Sequence, residues 1–403
     1  MKHTKTNSQI KLWNKNYIFL LLANTFIYLG FYMLVPTLPA YAKQIGGSSL
    51  QASLVISIFS ISSLIFRLIA GNAADQMGKK TIAFIGIGFM VVSTFLYVFL
   101  PINGIIIIRL FQGMGWGMTS TAIAVAISDI VPEEKKGEGM GYYSLTMIVS
   151  MSLAPIVAIM IMNNFSFTII AAVSITFMCI GIILLQMFSN AKELAGKVKH
   201  KKDKVIQLKN LFEKRALLPS GLCFLLAITL CGIMSYLMLF GKELKLTNIW
   251  IYFIGHVAMI LITRPFVGKI FDKKGHFIVV VPGAVSMIVG LILLSYTNSI
   301  IFLVAASVFY GLGYGAVQPS LQAWAIARSP IERRGAANGT FLSSMDLSFT
   351  VGSIVLSFIA EKNSYAAMYR YSSIFMFIFL AIYIYCCLKE NKNINNNEEE
   401  VAV

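Results

Sequence analysis

Charge is what these 403 residues have least of. Asp, Glu, Lys and Arg make up 12% of the chain, and acids are the scarcer sign, 17 against 33 Lys and Arg. A soluble domain carries about 25% charged residues, so an ordinary water-facing surface is excluded. Cysteine is sparse too. Cys179, Cys223, Cys231, Cys386 and Cys387 all fall in apolar stretches without metal-type spacing. They read as small core hydrophobes, not as a disulfide framework or a metal site. The chain shows no nucleophile–base pair, and no Walker lysine follows its Gly-rich stretches. An enzyme, a metal centre, a cofactor and an ATP-driven pump are therefore not expected.

What the chain does have is apolar length. It is 57% hydrophobic with a mean hydropathy of +0.76. Twelve runs of about 20 apolar residues, from Tyr17–Pro39 to Tyr369–Leu388, are each long enough to cross a bilayer core as a helix. Barrel strands need only about 10 alternating residues, so the expectation is an all-α integral membrane protein with 12 transmembrane helices. The net charge of +16 does not point to nucleic acid, because of where it sits. If the N-terminus is inside, the external loops hold only Lys43, Lys242, Lys245, Lys362 and Arg370, and nearly all the rest of the 33 basic residues fall in cytoplasmic segments. That bias is the positive-inside rule, and it places both termini in the cytoplasm. The Lys-, Ile- and Asn-rich composition suggests a bacterial inner membrane.

Residues 189–215 are polar and basic and divide six runs from six. The expected organisation is a six-helix bundle over 1–188, a cytoplasmic linker over 189–215, a second bundle over 216–390, and a disordered tail over 391–403. The halves repeat each other. "FRLIAGNAADQMGKK" aligns with "TRPFVGKIFDKKGHF", pairing Arg67 with Arg264, Gly71 with Gly268, Asp75 with Asp272 and Gly78 with Gly275. "FQGMGWG" at Phe111–Gly117 aligns with "FYGLGYG" at Phe309–Gly315, and the same offset carries Gly141 to Gly339. The chain is therefore a duplicated six-helix unit in parallel orientation. Such repeats place a substrate site near the midplane between the halves and allow rocking about it.

These stretches resemble the major facilitator superfamily. "GNAADQMGKK" is similar to its loop 2–3 signature, with Gln76 where a base is usual. "RLFQGMGWG" is similar to its helix 4 motif, with Arg109, Gln112, Gly113 and Gly115 in place. Gly141, Ser150, Ala154 and Pro155 follow the helix 5 pattern of the family's proton-antiporting exporters, although other small residues replace most of its glycines. The resemblance implies a transporter that alternates access, and it favours export.

The motifs also have a physical reading. Asp75 precedes helix 3, where a carboxylate can accept free backbone N–H groups. Gly71 and Gly78 allow close approach and a sharp turn, and Lys79 and Lys80 suit cytoplasmic headgroups. This stretch, with Gly268, Asp272 and Gly275 in the second copy, reads as a conformational latch at the cytoplasmic mouth. The alternative is an ordinary tight turn. Arg67 and Arg264 are expected to bond loop carbonyls and Asp75 or Asp272. Asp129 is expected to cap its loop.

Arg109 lies inside an apolar run, where burial costs roughly 2.5–3.5 kcal/mol and demands a partner. It reads as a proton-relay or substrate-anion partner, or else as an arginine snorkelling near the outer end of its helix. Asp346 is the one carboxylate well inside any run. A carboxyl that gains and loses a proton is what proton coupling requires. The alternatives are a fixed salt bridge or bonds to Ser343 and Ser344. Asn24, Tyr28, Tyr32, Gln112, Trp116, Tyr236, Tyr310, Tyr314 and Gln318 are candidate cavity residues, suited by apolar contact and cation–π attraction to amphipathic or cationic organics. The Gly-rich repeats serve close helix packing.

The expected function is proton-coupled export of a small organic: a drug-like compound, a metabolite or an amino-acid-derived metallophore. The alternative is an importer or facilitator of a sugar or organic acid. The expected partners are substrate, protons and the lipid bilayer, and a monomer suffices because both halves lie in one chain.

Overall fold

The structure is a computed structural model. It describes the backbone of residues 12–132, 135–187, 212–330 and 333–401, and their side chains except at positions 71, 72, 75, 137, 269, 271, 272, 274 and from 390 onward. Most of the linker over 189–215 and the side chains of Asp75 and Asp272 lie outside the described residues.

Among the described residues there are twelve α-helices and no strand. They are α1 Lys15–Gln44, α2 Ser49–Met77, α3 Lys79–Leu96, α4 Ile102–Ile130, α5 Lys136–Asn164, α6 Phe167–Met187, α7 Leu217–Glu243, α8 Ile251–Lys274, α9 Phe277–Ser295, α10 Ile300–Ala327, α11 Arg334–Lys362 and α12 Tyr365–Val401. Eleven are long and apolar enough to cross a membrane. The exception is α4, whose apolar content is diluted by Arg109, Gln112 and a run of glycines. The last helix continues to Val401, so the tail expected to be disordered is helical over 391–401.

Local signals fix several helix ends. Ser48 and Gln51 form a reciprocal capping box that starts α2. Gly78 ends it at φ 90° and ψ 136°, a conformation costly for any residue with a Cβ. The chain breaks there for one residue and α3 begins. Its counterpart Gly275 has φ 77° and separates α8 from α9 in the same way.

The two halves pack alike. In the first, α4 lies on α2 and α3, α1 on α5 and α6, and α3 on α6. In the second, α10 lies on α8 and α9, α7 on α11 and α12, and α9 on α12. The repeat reaches single atoms. A Cβ at Gly113 would overlap the Phe59 carbonyl, and one at Gly311 would overlap that of His256. Gly115 approaches Gly86 as Gly313 approaches Gly283. The Gly-rich stretches thus bring helix backbones together, as expected.

Between the halves, α2 packs on α11, α5 on α8 and α1 on α7. The contact is one-sided. Call the end of the bundle that carries the chain termini the terminal end, and the other the far end. At the far end, Asn163 Nδ2 donates to the Thr247 carbonyl at 2.8 Å. Ala40, Ile56 and Ile159 of the first half join the apolar core of the second. The core that fills the first half toward the terminal end contains first-half residues only. At Gly141, Gly268, Gly335 and Gly339, on the helices that face the opposite half, a Cβ would meet no heavy atom within 4 Å. Among the described residues, the halves meet at the far end and leave open space at these glycines toward the terminal end.

Candidate functional site

Two described side-chain hydrogen bonds cross between the halves. The Asn163 bond is one, at the far end. The other is at mid-depth: Arg67 Nε donates to Asp346 Oδ2 at 2.9 Å, joining α2 to α11. Both side chains keep some exposure, 17% and 19%. They are held from behind. A Cβ at Gly117 would sit 2.6 Å from the Ser63 carbonyl oxygen and 2.9 Å from the Arg67 nitrogen, so α4 presses on the backbone that carries Arg67. The Thr350 hydroxyl donates to the Asp346 carbonyl at 3.1 Å, one turn along α11.

Tyrosines surround the pair. Tyr28 and Tyr32 share a face of α1 because they are four residues apart. Both lie within electrostatic range of Arg67, as does Tyr143 of α5, and Tyr32 lies within range of Asp346 as well. Beside them is an aromatic stack. Phe31 lies 3.9 Å from the Trp116 ring and 5.1 Å from Phe59, and Tyr28 is 4.5 Å from Trp116. From the second half, Tyr314 lies within electrostatic range of Tyr32 across the seam and of Arg264 in its own half. Arg67, Asp346, Tyr28, Tyr32, Trp116, Tyr314 and Arg264 thus form one mid-depth group that draws on both halves.

Several expectations are corrected. Arg109 does not meet Asp346. It is 3% exposed, donates to the Val55 carbonyl at 2.5 Å and to Gln112 Oε1, and lies over the Phe59 ring at 4.3 Å. Gln112 is occupied by the same network, taking a bond from the Tyr97 hydroxyl at 2.8 Å and donating to Thr94 at 3.2 Å. Arg109 is therefore a buried structural cation inside the first half. It was expected as a proton-relay or substrate-anion partner or as a snorkelling side chain; its described bonds all stay inside the first half. Arg67 was expected to bond loop carbonyls and Asp75 or Asp272, whose side chains lie outside the described residues; the bond described for it is to Asp346. Asp346 does not use the neighbouring serines: Ser344 donates to the Phe341 carbonyl, and the Ser343 hydroxyl is buried without a partner.

Among the cavity candidates, Tyr236 donates to the Ser353 carbonyl at 2.7 Å and Tyr310 bonds Thr229 at 2.8 Å, both fully buried within the second half. They are core residues. Gln318 bonds Gln322 at 3.3 Å along α10. Asn24 Nδ2 donates to Thr146 at 2.8 Å, while its Oδ1 is buried without a partner. Of the helix 5 pattern, Ser150 donates to the Thr25 carbonyl at 3.0 Å, and Ala154 and Pro155 are buried, so small residues let α5 approach α1. Gly141 and Gly268 have open space beside them and make no close approach in this state.

At the latch, Lys79 pairs with Asp129 at the end of α4, and Lys80 donates to the Gln186 carbonyl at 3.0 Å. These contacts bind the first half to itself, so Asp129 is more than a loop cap. The latch contacts expected of Gly71, Asp75 and Asp272 lie outside the described side chains. Among the described residues no His, Cys, Asp or Glu cluster has metal-site geometry.

Comparison with known proteins decides the family. The model of the Major Facilitator Superfamily matches residues 20–325 and 261–402. The chain belongs to this superfamily. An MFS-type transporter of Methanocaldococcus jannaschii is 24% identical over 364 residues, covering 87% of this chain and 92% of that protein. The quinolone resistance protein NorA of Staphylococcus aureus is 33% identical over 140 residues, which is 34% of this chain and 36% of NorA. Among solved structures, the nucleoside transporter NupG superposes with a TM-score of 0.73 at 14% identity, over 91% of this chain and 99% of its own. A POT family transporter in complex with a thioalcohol-conjugated peptide gives 0.72 at 13%, over 94% and 96%. These likenesses establish the fold, and membership of the superfamily makes the protein a helical membrane transporter of the major facilitator type.

Proposed function

We propose that this transporter exports a small organic molecule from the cytoplasm in exchange for external protons. A drug-like compound, a metabolite or an amino-acid-derived metallophore would each fit. The observation that carries the reading is the Arg67–Asp346 pair, an ion pair across the moving seam at mid-depth. Only ionised Asp346 can hold Arg67 in this way. A proton on the carboxyl removes the ionic attraction and so weakens the tie between α2 and α11.

The distribution of basic residues supports a cytoplasmic location for the terminal end and for both termini in a bacterial inner membrane. The state described is then open to the cytoplasm and closed outside. Asp346 has given its proton to the cytoplasm, and the tyrosine-lined seam is ready for substrate. Rocking to the outward-open state exposes the same carboxyl to external protons, and its neutralisation accompanies release. One chain carries both halves, so a monomer suffices. Likeness to a quinolone resistance protein supports the outward direction.

The test is uptake into inside-out vesicles containing the protein, energised by an inward-acid gradient, with a panel of fluorescent organics. The reading expects concentrative uptake that a protonophore abolishes. Uptake that only equilibrates and ignores the protonophore would contradict it, and would favour the importer or facilitator of a sugar or organic acid.

A further inference from the structure

The repeat leaves one charge unmatched. Arg67 of α2 faces α11 and finds Asp346. Its counterpart Arg264 lies on α8, which faces α5 as α2 faces α11. The offset that relates Gly141 to Gly339 relates Asp346 to Ile148. Ile148 is apolar and packs against the core of the second half. Arg264 therefore has no carboxylate where the symmetry would supply one. Among the described residues it makes no hydrogen bond or ion pair, its Nε is buried without a partner, and its one electrostatic neighbour is Tyr314.

A guanidinium that the described residues leave without a partner at this depth is costly to keep. Arg264 is 13 residues from the far end of α8 and 10 from the terminal end, about 20 and 15 Å along the axis. That is too deep for a lipid phosphate. Arg264 lies on α8, which packs on α5 of the opposite half, one turn before Gly268, where a Cβ would meet no heavy atom within 4 Å, and Tyr314 is its electrostatic neighbour. Arg109, the other buried arginine considered for an anion, already has its bonds filled inside the first half. Guanidinium is the side chain best matched to a planar two-oxygen anion.

We propose that Arg264 is the substrate-anion subsite: it binds a carboxylate, or a similar oxyanion, of the transported molecule, which takes the place that Asp346 fills for Arg67. This deepens the export reading, and it rests on that reading for the seam as the substrate path. The substrate class is then a small aromatic or amphipathic organic acid or zwitterion, with its ring among Tyr32, Tyr314 and Trp116.

The experiment measures binding of benzoate and of methyl benzoate to the purified full-length protein in lipid-free detergent, so that no headgroup can supply the anion. Wild type is expected to prefer benzoate by about ten-fold or more. Arg264→Met should remove the preference and Arg264→Lys should keep part of it. Ile148→Asp retains Arg264 but offers it an internal carboxylate, and should also abolish the preference; this variant guards against a misfolded Arg264 substitution. A preference that survives in both Arg264→Met and Ile148→Asp, or is missing in wild type, overturns the proposal. Vesicle uptake read beside it separates the two claims: if benzoate preference follows Arg264 while uptake ignores the proton gradient, the subsite stands and the export reading falls.

Discussion

Arg67 and Asp346 are 279 residues apart in the chain and 2.9 Å apart in space, one on each half of the molecule. Each is partly exposed to the gap between the halves, so each can be reached by water or by substrate. The pair ties the two halves at mid-depth in the bundle.

Removing one member should cost more than removing both. Arg67→Met leaves a lone carboxylate, and Asp346→Leu leaves a lone guanidinium. Each should lower thermal stability of the purified protein, by up to about 3 kcal/mol given that truncating one partner of a buried pair costs 3–5. The double variant should recover most of that loss. Equal or additive losses would show that the two residues do not act on each other.

The glycines divide into packed and open ones, and substitution should follow the division. Gly117→Leu must displace Ser63 and Arg67, so it should reduce both folded yield and transport. Gly141→Ala meets no heavy atom within 4 Å and should leave yield unchanged or slightly improved, since a mid-helix Gly costs about 0.5–1 kcal/mol relative to Ala. Fluorescence size-exclusion profiles of the two variants check both outcomes.

Glu213, just before α7, accepts the Arg215 backbone N–H at 3.1 Å and pairs with Arg333 at the start of α11. These bonds, the backbone one first, hold its carboxyl below the usual carboxylate range. A depressed value in the folded state means the contribution is present above the ordinary carboxylate range and is lost as pH falls through the lowered one. Glu213→Gln should therefore melt earlier than wild type at neutral pH, and the gap should close as the pH falls through that acidic window. A gap that persists at low pH would assign the loss to packing instead.

The fold was legible in the sequence because its causes are local and repeated. Apolar runs gave the helices, and recurrence of the glycines at 113 and 311, or 78 and 275, gave the two halves and their packing. The pairing of Arg67 was not legible. Nothing in a short spacing joins α2 to α11, and the arginine lay close to the latch motif, so a loop role looked natural. The cavity candidates that lie in the core instead, Tyr236, Tyr310 and Gln112, were misread for a different reason. A tyrosine or glutamine in an apolar run has the same appearance whether it faces substrate or is satisfied by a carbonyl behind it, as Tyr236 is by Ser353 and Gln112 is by Arg109 and Tyr97. The unmatched Arg264 was present in the alignment of the halves, since Ile148 stands where Asp346 does. Its meaning needed the packing of α5 on α8.

Everything about coupling turns on one carboxyl. The most direct test reconstitutes wild type and Asp346→Asn in liposomes with a pH-sensitive dye inside, and records proton movement when substrate is added. The account predicts that wild type moves protons against substrate, while the amide variant binds substrate and exchanges it across the membrane without any substrate-driven pH change. Proton movement of wild-type size in Asp346→Asn would contradict it.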